Sequence, residues 1–454
     1  MPAGNQDLKK LMKIKYLLAF LLPMATSVTA NAESLLEVYQ KALQSDPLIH
    51  EAEARRLASL EASPQARGLL LQQLNAGGSW TQGTRSGRTA FQVPGGIDVA
   101  NTESETEAFG WGAELRQTIF RWDQVVGLKQ ANKFVAKAEI DFEAAQQDLI
   151  VRVVIRYFEV LGAEDRLTSI HADRVAIARQ LEQATQRFEV GLIAITDVQE
   201  SQAAHDQSVA AEIEAKRELA TARGFLQEIT GEYVSMLSAP EEGFPLQSPN
   251  PADEGSWIDL ALGQNLSLVS SRFDEEIARD EISFRRTGHY PTIDLVANYQ
   301  SSDTDVTNQT VDGVAFPDFE VDNTNDSIGI EFSLPIFAGG RTSSQVREAV
   351  YLHRASKEQL QRIARETERQ TRDAYLGVLS EISRVNALEQ AVKSSSTALE
   401  ATQAGFEVGT RTIVDVLDSQ RSLYIAITNF YQSRYTYIGN VLRLKLAEIG
   451  RAHV

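Results

Sequence analysis

Two stretches of the chain carry apolar residues at the spacing of a helix that buries one face. In the first stretch Ile150, Val154 and Phe158 recur every four residues, and in the second Leu423 and Ile427 do the same. Residues four apart lie on the same face of an α-helix, one turn above the other. Both stretches are therefore predicted to form amphipathic helices with a single buried stripe.

The positions of proline indicate how long these helices are. No proline lies between Pro94 and Pro240 or after Pro335, and an interior proline would break a helix at a cost of about 3 kcal/mol. At 1.5 Å per residue, an uninterrupted helix from Trp122 to Val190 would be about 100 Å long. The predicted helices span residues 121–190, 196–230, 341–408 and 412–449.

A different pattern precedes each long helix. Phe109, Trp111 and Ala113 alternate with Gly110 and Gly112, which is the period of two expected of a strand with one apolar face. This alternation predicts four strands, at about residues 75–84, 106–118, 291–301 and 326–337. The polar segments between the strands of each pair, at about 86–105 and 303–325, are predicted to be long loops, as between outer-membrane strands.

Four strands are compatible with two architectures. They could form a small soluble sandwich with one wet face. They could instead form part of a membrane barrel, but a barrel needs about eight strands, so several chains would have to contribute.

The first 32 residues favour the membrane alternative. Lysines from Lys9 to Lys15 precede an apolar run that ends at Met24, and Ala30-Asn31-Ala32 fits a cleavage site. This arrangement is typical of a secretory signal peptide. No other apolar run approaches the roughly 20 residues of a membrane-spanning helix, so we expect any membrane insertion to use strands.

The chain also repeats itself. FEVGLIAITDVQESQ at 188–202 and FEVGTRTIVDVLDSQ at 406–420 share nine of fifteen residues at an offset of 218. In each copy a glycine, Gly191 or Gly409, is expected to end one helix, and a threonine, Thr196 or Thr412, to cap the next. The sequence therefore predicts two repeats, at residues 33–250 and 251–454, each with a tight helical hairpin.

Composition removes several classes of function. The chain has no cysteine, which excludes disulfides and thiolate metal sites. Its net charge of -18 argues against a partner that is nucleic acid, because neutralising phosphates requires clustered Lys and Arg. The six histidines are far apart, and no zinc, nucleophile-elbow, Walker or dinucleotide motif is present. The sequence therefore predicts neither an enzyme nor a cofactor.

Four segments together resemble the TolC-type outer-membrane efflux family. They are SLLEVYQKALQSDP at 34–47, VGLIAITDVQ at 190–199, SLPIFAGG at 333–340 and GTRTIVDVLDSQ at 409–420. The resemblance runs from about residue 34 to residue 450. It implies a mixed α+β membrane protein that forms a homotrimer. Each chain would give four strands to one twelve-stranded barrel, continued by a long coiled-coil tunnel across the periplasm.

The resemblance also implies a function and partners. The protein would sit in outer-membrane lipid of a Gram-negative bacterium and passively export small molecules or proteins. Its partners would be a periplasmic adaptor and an inner-membrane pump of the RND, ABC or MFS type. The alternatives are a structural or adhesive coiled-coil stalk without a conduit, and a related channel dedicated to protein secretion.

The family's gate residues match positions of this chain. Asp415 and Asp418 match acidic residues that line the closed periplasmic entrance, where they could hold an inhibitory cation. These carboxylates are three residues apart at a helix start. The alternative is that they only stabilise the start of the helix through its dipole.

Further positions match tethers that hold this entrance shut. Arg411, Thr196 and Asp197 match tether residues, and Phe406 replaces a tyrosine whose hydroxyl joins the network. Arg434 interrupts an apolar stripe, and a buried arginine needs a partner, for which Gln180 or Asp197 is the candidate.

Overall fold

The computed structural model describes residues 32–240 and 245–448. The predicted signal peptide therefore lies, apart from Ala32, outside the described residues. In the described part, nine α-helices, a short 3₁₀ turn at Thr287–His289 and five strands follow one another. The helices are α1 (Leu35–Ser45), α2 (Pro47–Leu60), α3 (Ala62–Gly68), α4 (Trp122–Glu189), α5 (Ile195–Thr230), α6 (Glu254–Gln264), α7 (Leu266–Arg286), α8 (Arg341–Glu407) and α9 (Ile413–Glu448). The strands are β1 (Gln73–Val93), β2 (Gly96–Phe120), β3 (Thr292–Val311), β4 (Val314–Ala315) and β5 (Phe319–Ser333).

The strands extend far beyond their predicted ends. Ser86 pairs with Glu103 and Thr84 with Glu105, so most of the segment predicted as a polar loop belongs to the β1–β2 ladder. The segment at 303–325 likewise lies mostly in β3, β4 and β5. The loop prediction was wrong because polar side chains indicate contact with water, whereas an antiparallel ladder needs only paired backbone groups.

The four long strands form one antiparallel sheet in the order β1–β2–β3–β5. Its register brings apolar residues onto one face: Leu115 lies between Leu74 of β1 and Ala297 of β3, and Ala297 faces Ile328 of β5. The opposite face carries Asn75, Glu114, Asn298 and Ser327, among others. Within the described residues, the outer edges of β1 and β5 have no backbone partner.

The long helices α4 and α8 extend from this sheet. Near the sheet α7 lies between them, where Lys133 of α4 pairs with Glu276, and His353 of α8 contacts Glu275. Farther along, α9 packs beside both α4 and α8, while α5 packs along α4 and also contacts α9. Among the helices that the structure describes, none combines the length and the apolar character that crossing a membrane requires.

Two apolar clusters join the shorter helices to the long ones. Val38 and Ala42 of α1 pack against Leu149 and Val153 of α4 and Leu226 of α5. In the second cluster Trp257 of α6 packs against Tyr375 and Val378 of α8 and Tyr437 of α9. Each half of the chain thus has its own short helix buried against its own long hairpin, as two structural repeats require.

One buried hydroxyl ties the first cluster to the chain segments around it. The Tyr157 hydroxyl lies 2.6 Å from the carbonyl oxygen of Ser238 and 3.1 Å from that of Glu33. Burial raises the pKa of Tyr157 to about 12, so this hydroxyl is a proton donor at any physiological pH. It therefore connects α4 to the segments before α1 and after α5.

We predict that Tyr157→Phe lowers the free energy of unfolding by about 1 to 3 kcal/mol, because the part-buried carbonyl of Ser238 loses its donor and that of Glu33 keeps only the N–H of Ser238. The repeat supplies a matched control. Tyr375 occupies the equivalent position at an offset of 218 and is also buried, but its hydroxyl has no hydrogen bond within the described residues. Thermal melting should therefore show Tyr375→Phe close to the parent protein. Equal destabilisation by both changes would contradict the assignment.

Candidate functional site: the helical hairpin tips

Both long hairpins end in the same turn. In the first hairpin the N–H of Gly191 donates to the carbonyl of Phe188 at 2.9 Å, and that of Leu192 to Arg187 at 2.9 Å. In the second hairpin Gly409 donates to Phe406 at 3.1 Å, and Thr410 to Gly405 at 2.8 Å. These paired bonds form a Schellman motif, which needs a left-handed residue. Gly191 and Gly409 supply it, with φ of 74° and 77°.

The helices that follow the two turns begin differently. In the second repeat the Thr412 hydroxyl accepts from the N–H of Asp415 at 3.2 Å, while the Asp415 carboxylate accepts from the N–H and the hydroxyl of Thr412, both at 2.9 Å. This reciprocal pairing is a capping box with aspartate in the place of glutamate. In the first repeat Ala194 is the N-cap and offers no side-chain oxygen.

The prediction that Thr196 caps the first of these helices was therefore wrong. The structure places Thr196 at the second residue of α5, where it is exposed. Counting from the shared glycines shows that Ala194, and not Thr196, is the counterpart of Thr412. Asp197 is the counterpart of Asp415, but without a hydroxyl at the N-cap it cannot complete the box.

The two candidate gate carboxylates have different surroundings. The N–H and hydroxyl of Thr412 hold the pKa of Asp415 below its ordinary value, and Arg411 acts in the same direction. Asp418 lies one turn later, is exposed, and accepts from Arg421 at 3.3 Å. Asp415 thus has a structural role in starting α9, and both carboxylates are positioned to carry charge near the tip.

Phe406 packs where the two hairpins meet. It contacts a cluster that contains Ile177 of α4, Ala204 of α5 and Ile413 of α9, and the Arg187 guanidinium lies 4.8 Å from its ring centroid. A cation over an aromatic face contributes about 0.5–1 kcal/mol at exposed sites. The phenyl ring therefore links the hairpins through packing and a cation–π contact.

Arg411 lies against its own hairpin. Its side chain covers Gly405, where a Cβ atom would come within 2.8 Å of the Arg411 Cγ. Within the described residues the Arg411 guanidinium has no hydrogen bond or ion pair, and neither has the Asp197 carboxylate. The structure of one chain therefore does not bring these two predicted tethers together.

Gln180 takes part in a buried network that the sequence did not predict. Its side-chain amide donates to Gln420 at 2.8 Å, and Gln420 in turn donates to the carboxylate of Asp173 at 2.7 Å. Gln420 is only 1% exposed, and burial raises the pKa of Asp173. The network joins α4 to α9 within one chain.

Arg434 lies elsewhere on α9. It is fourteen residues beyond Gln420, about 21 Å along the helix. Arg434 and Asp165 line the same cavity. Burial raises the pKa of Asp165, and the charge of Arg434 acts in the opposite direction. The Arg434 guanidinium also lies 5.8 Å from the centroid of the Phe430 ring. The predicted pairing of Arg434 with Gln180 or Asp197 is therefore replaced by an environment near Asp165.

The described residues contain no group of three or more His, Asp or Glu side chains that could hold a metal ion. The roles of Asp415 and Asp418 and of the tethers in closing an entrance stay predictions.

The sequence was compared with known proteins. A profile of the outer membrane efflux protein family matches residues 38–232 and 257–447. The chain belongs to this family. It is 36% identical over 423 residues to the outer membrane protein TolC of Escherichia coli (strain K12), covering 93% of this chain and 83% of that relative. It is 28% identical over 426 residues to the alkaline protease secretion protein AprF of Pseudomonas aeruginosa, covering 92% and 84%.

A solved structure gives the same result for the fold. The crystal structure of the outer membrane protein VceC from Vibrio cholerae matches with a TM-score of 0.71 at 20% identity, covering 92% of this chain and 96% of that one. The predicted family and fold class are thus confirmed, with four long strands, long helices and two repeats in each chain. The protein is an outer-membrane efflux channel, and the alternative of a stalk without a conduit is not supported.

The structure suggests a sharper test of the candidate gate than removal of both side chains. Asp415→Asn with Asp418→Asn removes both charges but keeps an oxygen that can accept from Thr412. In planar bilayers this variant should lose cation selectivity. Its half-blocking concentration for a divalent cation should rise about tenfold or more, the effect of about 1.4 kcal/mol of lost attraction.

The matched control removes two exposed charges away from the tip, by Asp148→Asn with Asp206→Asn. It should keep both properties. If the tip variant also keeps selectivity and block, the two aspartates only start the helix, and the constriction lies elsewhere.

A second prediction concerns the residue that replaces the expected tyrosine. Phe406→Tyr adds a hydroxyl beside the junction of the hairpins, and a hydrogen bond to a charged group is worth about 1.5 to 3 kcal/mol. If this hydroxyl reaches Asp197, the closed state becomes more stable and single-channel conductance falls. Phe406→Leu, which removes the ring beneath Arg187, should raise it. Unchanged conductance in correctly folded Phe406→Tyr would show that the hydroxyl alone does not restore the tether.

Proposed function

We propose that three copies of this chain close their sheets into one twelve-stranded barrel in the outer membrane, above a common helical tunnel. The observation that carries the proposal is the pair of unpaired edges on β1 and β5. Backbone groups in hydrocarbon must find partners within the protein. Pairing β1 of one chain with β5 of the next satisfies both edges in every copy.

The faces of the sheet support the same assembly. Trp80, Phe109, Ile328 and Phe332 lie on the apolar face and are each more than half exposed in the single chain. Such a surface suits lipid, while the polar residues of the opposite face suit a water-filled interior. The helices that continue from β2 and β5 then surround one axis and form the wall of the tunnel.

The free ends of the hairpins are suited to contact a partner. Val190, Leu192 and Val408 at the two tips are between 70% and 75% exposed. Apolar side chains grouped at the end of a structure are typical of an interaction site. We assign this end to a periplasmic adaptor protein, which connects the channel to an inner-membrane RND, ABC or MFS pump.

The channel would act as a passive conduit without a catalytic step, because energy and the choice of cargo come from the pump. Small molecules and secreted proteins are both within its range. The family is named for efflux, and the chain also covers 84% of a relative named for alkaline protease secretion. The genes for a pump and an adaptor beside this one would indicate which cargo applies.

The absence of cysteine from the sequence allows a clean test of assembly. Within one chain β1 and β5 are three strand spacings apart, about 14 Å, which is beyond the reach of a disulfide. Ala76→Cys on β1, combined in turn with a cysteine at Ile328, Ile330 or Phe332 on the same face of β5, should give covalent trimers on oxidation. Non-reducing electrophoresis of the detergent-solubilised protein detects them.

The control replaces the β1 cysteine with one at Ala113 on the interior strand β2, which should give no trimers. Conductance of the reduced, uncross-linked protein in planar bilayers is measured in parallel. A monodisperse monomer of mature size without conductance would overturn the proposed assembly.

A further inference from the structure

A groove of about 570 Å³ lies between α4, α5 and α9, away from the hairpin tips. Its lining includes the rings of Phe158 on α4, Phe225 on α5 and Tyr435 on α9. The Phe158 and Tyr435 rings are stacked, with centroids 5.4 Å apart and planes inclined by 25°. Sites for small organic molecules are of this size and largely apolar, so the groove has the dimensions and the lining of a ligand site.

Two glycines keep the groove open. A Cβ atom at Gly162 of α4 would lie 3.5 Å from the Tyr435 ring, so any larger side chain would crowd the aromatic wall. At Gly439 of α9 a Cβ atom would meet no atom within 4 Å. The space above Gly439 is therefore available to a ligand.

The charges around the groove are unequal. Four arginines line it, against the two carboxylates Glu159 and Glu218. Glu159 pairs with Arg156 at 2.7 Å, and Glu218 pairs with Arg166 at 3.2 Å. Within the described residues Arg443 has no hydrogen bond or ion pair. Of the remaining two arginines, Arg217 pairs with Glu214 at 2.5 Å, which leaves Arg443 as the cation without a carboxylate partner in this part of the chain.

The aromatic wall also carries a cation. The Arg156 guanidinium lies 4.4 Å from the centroid of the Phe225 ring, which is itself 42% exposed. Because Arg156 also donates to Glu159 at 2.7 Å, it contributes its stacked surface to the groove, and Arg443 supplies the cation for an anion. The groove is thus a basic, aromatic surface on a chain whose net charge is -18.

Phe158 and Tyr435 also pack against the cluster with α1, but the groove extends from them to the side of the helices that the short helices leave uncovered. On α4, Tyr157 faces the cluster with α1, and Arg166 lies about 180° around the helix from it. On α9, Tyr437 faces Trp257 of α6, and Gly439 lies about 160° away. The next step rests on the tunnel that we propose above. In that tunnel the uncovered side of α4 and α9 faces the interior, because α1 and α6 would otherwise fill the interior.

We propose that this groove is a binding site in the tunnel wall for amphipathic organic anions, with an aromatic or apolar body and one carboxylate or sulfonate group. The body packs between the three rings and above Gly439. The anionic group accepts hydrogen bonds from Arg443. Each chain of the channel carries one such site, which holds anionic cargo against the wall on its way through an otherwise acidic protein.

The test uses the complete channel in planar bilayers, with naphthalene-1-sulfonate as the probe. The sulfonate should interrupt the single-channel current, and its neutral isostere naphthalene-1-sulfonamide should do so far more weakly. Gly439→Leu fills the groove without changing charge and should abolish the interruptions. Leucine also favours a helix more than glycine does, so folding is preserved.

Removal of one charge is the second arm. Arg443→Gln should raise the half-blocking concentration of the sulfonate about tenfold, as expected for a lost hydrogen bond between two charged groups. Arg362→Gln removes an exposed arginine of α8 that does not line the groove, and it should leave the block unchanged.

The outcomes separate this inference from the proposed function. If the parent protein conducts no ions, the conduit itself is refuted. If it conducts but the sulfonate blocks Gly439→Leu as well as the parent, the anion binds elsewhere and the groove is not its site. Equal block by the sulfonamide would refute the selectivity for anions.

Discussion

The structure depends on backbone hydrogen bonds that one chain cannot make. The sheet has four long strands, and among the described residues nothing pairs with the outer edges of β1 and β5. In water such an edge could be solvated, but the exposed rings and aliphatic side chains beside it favour lipid, where solvation is absent. Closure by further copies follows from this constraint. One residue separates β2 from α4 and seven residues separate β5 from α8, so closure of the sheet also sets where these two helices begin.

The two repeats share a backbone more closely than they share interactions. Both hairpins end in the same glycine-dependent turn, yet only the second has a threonine to cap the next helix. Tyr157 and Tyr375 are equivalent and buried, but only Tyr157 has a hydrogen-bonded hydroxyl among the described residues. Duplication thus preserved the residues that define the chain path, while the hydrogen bonds within each repeat diverged. The acidic residues proposed for the gate belong to the better capped hairpin.

Charge is distributed unevenly along the proposed conduit. The tip of the second hairpin carries Asp415, held ionised by its own helix cap, together with Asp418. The groove between α4, α5 and α9 instead carries an excess of arginine. Both features include residues of α9, with the carboxylates near its start and Gly439 and Arg443 near its end. A cargo molecule would therefore meet basic and acidic surfaces at different depths.

The sequence by itself determined the long helices, their glycine turns and the repeat, because these depend on local spacing: the ends of α4, α5, α8 and α9 lie within one residue of prediction. It also identified the family, through segments at the turns. Strand length was underestimated, because ladder bonds depend on a partner distant in sequence. The tertiary structure alone decided that Gln420 is buried against Gln180 and Asp173, while its repeat counterpart Gln202 is exposed. Identical residues in identical local turns differ there only because different helices pack against them.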